Sequence, residues 1–492
     1  MSRRPLITFL LLSAILVCQA QESGMPPMDD YPSGLVSRFV FELPDTLEAS
    51  HAEVVIASVL LAGNRMTRNR IITRELPFSE GDTLSVHRFF RKVEAGRRNL
   101  LNTGIFNFVE ASVDYSSFPS LTVSYHFVER WNIWPFPVLE LDEPNLNQWL
   151  SNPSFRKFNY GIRFVGTNLT GRNERVSLNV KAGNVQSISL LVYNPYINKA
   201  QTIGWGIRYG LNRSHQRAYL TRNNQRQFLR INDQYIANEQ YVATHVNIRP
   251  ALYNNHRLAL GIHLHSYADT LLLLNPRFGP GGRSSFSYAS LSYSFRRDRR
   301  DIVAYPLEGY FLEAGLERKG LGLFGDTDMD VTLFDVNAQY YLPMAPRWYM
   351  ASGIVARWSE GRTLSYFDQG GLGYLQSLVR GYEQFVVDGH KYLVLKYNLK
   401  YKLVPERVSN IGFIPSEKFS LIHYAIYVNL FLDGGMVKDR HFSAENPLTN
   451  RWLTGGGVGL DFVTYYDKVF RAEVTMNREG KPGLNFHLVA PI

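Results

Sequence analysis

Two short stretches carry side chains able to form a strong ion pair. "QSLVRGYEQF" sets Arg380 between Val379 and Gly381–Tyr382, just after the glycine-rich "GGLGY". "FLDGG" supplies Phe431, Asp433 and Gly435. In "IHYAIYVNLFLDGG" the apolar residues alternate from Ile422 to Leu432, which turns Asp433 to the opposite face with His423, Asn429 and Phe431. A carboxylate on an enclosed face needs a partner, and a guanidinium can hold it through two parallel hydrogen bonds. The alternative for Arg380 is a solvated turn. Signals for other chemistry are weak. There is no G-x-S-x-G elbow, H-E-x-x-H or P-loop. His263 and His265 share one face of an alternating segment, without the cysteines or clustered carboxylates of a metal site. Asp388 and His390 in "DGHKY" read as loop residues. No catalytic residue, metal or cofactor is expected.

The elements around these residues have a period of two. "ASLSYSFRR" sets Ala289, Leu291, Tyr293 and Phe295 against Ser290, Ser292, Ser294 and Arg296. "YLVLKYNLKYKL" and "GLNFHLVAPI" alternate likewise, with lysines, asparagines and a histidine on the second face. A soluble sandwich also alternates, but it buries its apolar face under a second sheet. Segments of about ten residues broken by Gly, Asn and Asp turns fit a membrane-spanning barrel. Such strands must close, because lipid cannot satisfy an open edge. Residues 158–492, at about twenty per strand and connection, give about sixteen strands. Aromatics make up 13% of the chain and charged residues only 20%, which excludes a disordered protein.

Before the barrel region the periodicity differs. Residues 53–131 read as β-α-α-β-β. "EVVIASVLLAGN" is a strand ending at Gly63-Asn64, Thr67 is placed to cap a first helix, and Ser85 a second. The second helix keeps Val86, Phe89, Phe90, Val93, Leu100 and Leu101 at helical spacing, interrupted by Arg97. "FNFVEASVDY" and "LTVSYHFVER" follow as strands. Residues 1–20 read as a signal peptide: Arg3 and Arg4, a short apolar core too brief to span a bilayer, then "CQA". The only cysteine, Cys18, lies inside it, so the mature chain has no disulfide; lipidation there is a minority reading, since Val17 precedes it. The net charge of +10 falls to +8 without the two arginines, and an exported chain meets little nucleic acid. Residues 21–52 form an N-terminal segment, and 132–157, with "WPFPVLELDEP", read as a linker into the barrel.

"GNRMTRNRIITREL", then "GD", then "NLLNTGIFNFV" make residues 53–131 resemble a POTRA domain. Within the barrel region, "NLTGRNE" with "YNPYI", "DRRDIVAYPLEG" (Asp298, Arg300, Asp301, Pro306, Gly309) and "VRGY" resemble the BamA/TamA superfamily of outer-membrane assembly proteins. The chain departs from the main assembly proteins in having one POTRA module. The resemblance implies a transmembrane antiparallel β-barrel in the bacterial outer membrane, with its POTRA domain in the periplasm. It implies that Val379, Arg380, Gly381 and Tyr382 form a loop tip folded into the lumen, held by Phe431, Asp433 and Gly435. It implies that an edge strand including Phe106, Phe108, Val109, Ala111 and Val113 captures extended substrate. Expected partners are unfolded outer-membrane or exported proteins, lipid including lipopolysaccharide, and accessory assembly subunits. A dedicated two-partner secretion pore and a passive porin are the alternatives.

Overall fold

The computed structural model describes residues 53–141, 158–231, 233–323, 329–374, 377–410, 421–464 and 468–487. Residues 1–52, with Cys18, lie outside them. The first unit comprises β1 (Glu53–Ala62), α1 (Asn69–Thr73), β2 (Thr83–Ser85), α2 (Val86–Asn102), β3 (Phe106–Asp114) and β4 (Ser120–Glu129). Its sheet runs β2-β1-β4-β3, with β1 and β4 parallel. The apolar face of α2 packs Phe89, Val93, Leu100 and Leu101 against Ile56, Phe106, Val109 and Tyr125, all buried. Arg97 sits inside that face with its guanidinium folded back onto Glu94, 2.7 Å away.

Neither expected cap forms. Ser85 precedes α2 but makes no side-chain cap bond, and α1 begins at Asn69, after Arg68. Thr67 turns away instead. Its hydroxyl donates to the Glu129 carboxylate at 2.6 Å, which ties the end of β4 to the turn before α1.

The barrel follows. Its strands are β5 (Ile133–Leu141), β6 (Phe158–Thr167), β7 (Arg175–Gly183), β8 (Val185–Asn194), β9 (Ile203–Ser214), β12 (Ala237–Ala251), β13 (Asn254–Tyr267), β14 (Ser285–Asp298), β15 (Gly309–Lys319), β16 (Val331–Ala345), β17 (Trp348–Gly361), β20 (Lys391–Asn410), β21 (Leu421–Lys438), β22 (Trp452–Thr464), β23 (Lys468–Asn477) and β24 (Pro482–His487). They form one 16-stranded antiparallel sheet in chain order. A hairpin of β10 (Gln216–Arg222) and β11 (Gln225–Arg230), a short helix α3 (Thr270–Leu274) and a loop pair β18 (Gly370–Leu372) and β19 (Val387–Gly389) stand at the far end.

The alternation sorts the side chains. Tyr293, Tyr397, Leu430, Leu432 and Leu484 project outward as an apolar band, while Ser290, Lys396, Asn398, Asp433 and Asn485 turn into the lumen and are buried. No helix among the described residues is long and apolar enough to cross a membrane; the strands and their outward apolar band take that part.

The segment expected as a linker, 132–157, needs correction over its first part, while residues 142–157 lie outside the described residues. Ile133–Leu141 is the first barrel strand, in unbroken register with β6 from Ile133↔Gly166 to Leu141↔Phe158. Pro135 and Pro137 argue against a central strand, but an edge strand tolerates proline whose nitrogen faces away from its neighbour. Among the described residues β5 pairs with β6 alone and β24 with β23 alone, so the sheet has a seam between its first and last strands.

The α/β unit is docked on the near end of the barrel. The Arg68 amide donates to the Gly171 carbonyl at 3.0 Å, and Asn168 donates to Thr67 at 2.8 Å. Glu75, buried at the end of α1, pairs with Arg249 at 2.5 Å and accepts from the Tyr196 hydroxyl at 3.2 Å. Burial, and then the Glu75 charge, push the Tyr196 phenol up to about 12, so it stays a donor to that carboxylate. At the far end the β10–β11 hairpin lies across the mouth. Asn446 donates to the Thr221 carbonyl at 2.7 Å, Val386 to the Asn224 carbonyl at 2.9 Å, and Leu448 to the Asn224 side chain at 3.1 Å.

Candidate functional site

The loop between β17 and β20 folds back into the lumen and ends at Arg380, whose side chain is fully buried. Its Nε and Nη2 donate to the two oxygens of Asp433 at 2.8 and 2.6 Å, and its amide adds a third bond at 3.1 Å. Nη1 reaches Glu473 on β23 at 3.2 Å, and the guanidinium lies 3.8 Å from the centre of the Phe431 ring. One cation thus joins the loop to β21 and β23. Val379 and Tyr382 flank it in an apolar cluster with Leu372, Val394 and Leu453.

Glycines make room for the tip. Gly381 sits at φ +96°, where L side chains are strained, and its amide donates to Glu383. The Gly381 carbonyl accepts from Asn477 at 3.0 Å. A Cβ on Gly455 would lie 1.8 Å from the Arg380 carbonyl, one on Gly435 2.6 Å from Val379, and one on Gly457 2.9 Å from the Phe431 ring. The wall of β21 and β22 is therefore flat where the tip lies against it.

A second buried pair stands on the same wall. Arg471 donates to Asp461 at 2.5 and 2.8 Å. Asp461 also accepts from the Tyr305 hydroxyl at 2.6 Å. Tyr305 belongs to the loop carrying "DRRDIVAYPLEG", which enters the lumen from the near end. Within that loop Arg300 grips Asp298 at 2.9 and 2.5 Å, and Asp301 accepts the amides of Leu307 and Glu308. Pro306 is buried, and Gly309 at φ +101° passes too close to Arg299 for any side chain. Asn102 of α2 donates to the Asp301 carbonyl at 3.0 Å, so the loop also touches the α/β unit.

Sequence reasoning missed Glu473, Asp461, Arg471 and Tyr305. The available signal was parity: in "RAEVTM" Arg471 and Glu473 alternate with outward Val474 and Met476. The structure does not bring the other expected residues to this site. Phe106, Val109 and Ala111 are buried in the α/β core, with Phe108 and Val113 half-buried. Among the described residues β4 is the sheet neighbour of β3, and Glu110, Ser112 and Asp114 are its exposed side chains. His263 and His265 stack in the lumen 6.3 Å apart, and His263 bonds Ser290. Asp388 accepts from Tyr374 and Thr221 rather than engaging His390. Glu383, Glu473 and His487 bring donor atoms within 4.8 Å of one another. With Arg380 at 3.2 Å and Arg471 at 3.6 Å from Glu473, that carboxylate is already matched by cations.

Residues 54–130 match the POTRA family model, described as a surface antigen variable number repeat, and residues 168–393 match the Omp85 superfamily domain. Similar solved structures include BamA from Haemophilus ducreyi lacking POTRA domains 1–3 (TM-score 0.48, 14% identity, covering 88% of this chain and 83% of that one). CdiB from Escherichia coli (0.49, 13%, 89% and 75%) and CdiB from Acinetobacter baumannii (0.46, 12%, 88% and 73%) are also similar. No curated protein matches the chain by sequence. The chain carries a POTRA domain ahead of an Omp85 superfamily domain.

Proposed function

We propose that this protein sits in the bacterial outer membrane with its POTRA domain in the periplasm, and that it inserts or translocates unfolded outer-membrane or exported proteins. Extended substrate docks on the backbone edge of β3 by strand addition. It then passes to the barrel seam, while the Arg380 tip holds the lumen wall in shape. One observation supports this above others. The lumen is crossed by two loops bound to its wall and covered at the far mouth by the β10–β11 hairpin, while β5 and β24 do not pair with each other among the described residues. A passive pore needs an open lumen; a lateral route needs a weak seam.

Depleting the protein and quantifying the outer-membrane proteome tests the reading. A broad fall in barrel proteins is expected. Loss of one secreted protein with barrels unchanged would point to a dedicated exporter, and an unchanged proteome would overturn both.

A further inference from the structure

The first barrel strand is built to be an edge over half its length. In an antiparallel pair, alternate residues aim both backbone groups at the same neighbour. The β5–β6 register is unbroken, and Pro135 and Pro137 have no N–H to give it. The ladder to β6 must therefore run through Trp134, Phe136, Val138 and Glu140. Ile133, Pro135, Pro137 and Leu139 aim their backbone groups at the seam. An independent contact agrees: the Ile133 carbonyl accepts from the indole Nε1 of Trp131 rather than from β6. From Ile133 to Pro137 the seam edge thus lacks two donors and has one acceptor already engaged by the chain's own side chain. Complete edges resume at Leu139.

We infer that the periplasmic half of β5 is blocked against strand pairing, so that an extended client segment can add to this edge only from Leu139 outward. The blockade also lowers the cost of an open seam, because two N–H groups that lipid could not satisfy are absent. Incoming β-strands of unfolded barrel proteins are then paired first in the outer half of the membrane, and the inner half stays open as their entry side. This rests on the insertion reading above.

The test places a photo-crosslinking amino acid at Ile133 or at Leu139 of the full chain in cells making outer-membrane barrels. Adducts with unfolded barrel proteins are expected at Leu139, at several-fold the yield at Ile133. In the Pro135→Val/Pro137→Val variant, adducts at Ile133 should rise to the Leu139 level. The same purified variant, with no client present, should unfold at a higher temperature on unheated gels as its completed edge zips toward β24. Equal adducts at both positions in the native chain would overturn the inference, as would a variant that changes neither adducts nor unfolding temperature. Absence of adducts at both positions, with barrel proteins still falling on depletion, would overturn the assignment to β5 and leave the insertion reading standing. An unchanged proteome on depletion, with the unfolding temperature still raised, would do the reverse.

Discussion

Removing the guanidinium of Arg380 leaves two buried carboxylates, Asp433 and Glu473, without their shared cation. Breaking a buried pair in this way costs about 3–5 kcal/mol. Arg380→Ala should therefore make the loop around residues 377–390 protease-sensitive and lower the temperature of heat-modifiability. Asp433→Asn should be milder, because Arg380 keeps Glu473; the Arg380→Ala/Asp433→Asn double variant should be no worse than Arg380→Ala, and additive losses would show that the residues act separately. Lysine at 380 should rescue poorly, since an ammonium cannot reproduce the fork and the stacking on Phe431 together. Gly455→Ala is a cleaner probe of the tip. It leaves every charge in place yet puts a methyl 1.8 Å from the Arg380 carbonyl, so the same protease sensitivity is expected. At this scale the sequence was half legible. Local motifs singled out Arg380 and Asp433, but Glu473 and Asp461 sit in strands with no motif, where only parity marks a charge as inward.

Helices and strands that follow one rule were easy to read, and those that follow two were not. The period of α2 and the alternation of β14, β20 and β21 each state one burial face. β5 alternates too, but its prolines resemble linker chemistry until the strand is known to be an edge. Thr67 looked like a helix cap because its tertiary partner, Glu129, lies 62 positions away. Two predictions belong to elements. If β3 captures substrate by its edge, proline at Ser112 or at Val113, whichever amide points away from β4, should abolish crosslinks between β3 and nascent barrel proteins while the domain stays folded. Crosslinks that persist in both variants would rule out strand addition there. Where α1 meets the barrel, Glu75→Ala strips Arg249 and Tyr196 of their acceptor and should weaken docking by about 2–3 kcal/mol. Faster proteolysis near Arg130–Asn132, with barrel heat-modifiability unchanged, is the expected result.

For the molecule as a whole, the outward apolar band requires lipid or detergent. The protein should fractionate with outer membranes, resist carbonate extraction and migrate faster when unheated; a carbonate-soluble protein would overturn the barrel reading. The flat wall of β22 carries a consequence for how such a barrel is made. Gly455, Gly456, Gly457 and Gly459 give that strand little of its own to pack, and glycine in a strand interior costs roughly 0.5–1 kcal/mol relative to alanine. The three that face inward, Gly455, Gly457 and Gly459, are covered by the Arg380 carbonyl, the Phe431 ring and the Glu473 side chain, while Gly456 faces outward beside Leu432. One of these covers, the Arg380 carbonyl over Gly455, comes from the tip, so β22 has its full packing only when the tip is in the lumen. A barrel whose tip stayed outside would carry an underpacked glycine strand beside its last hairpin.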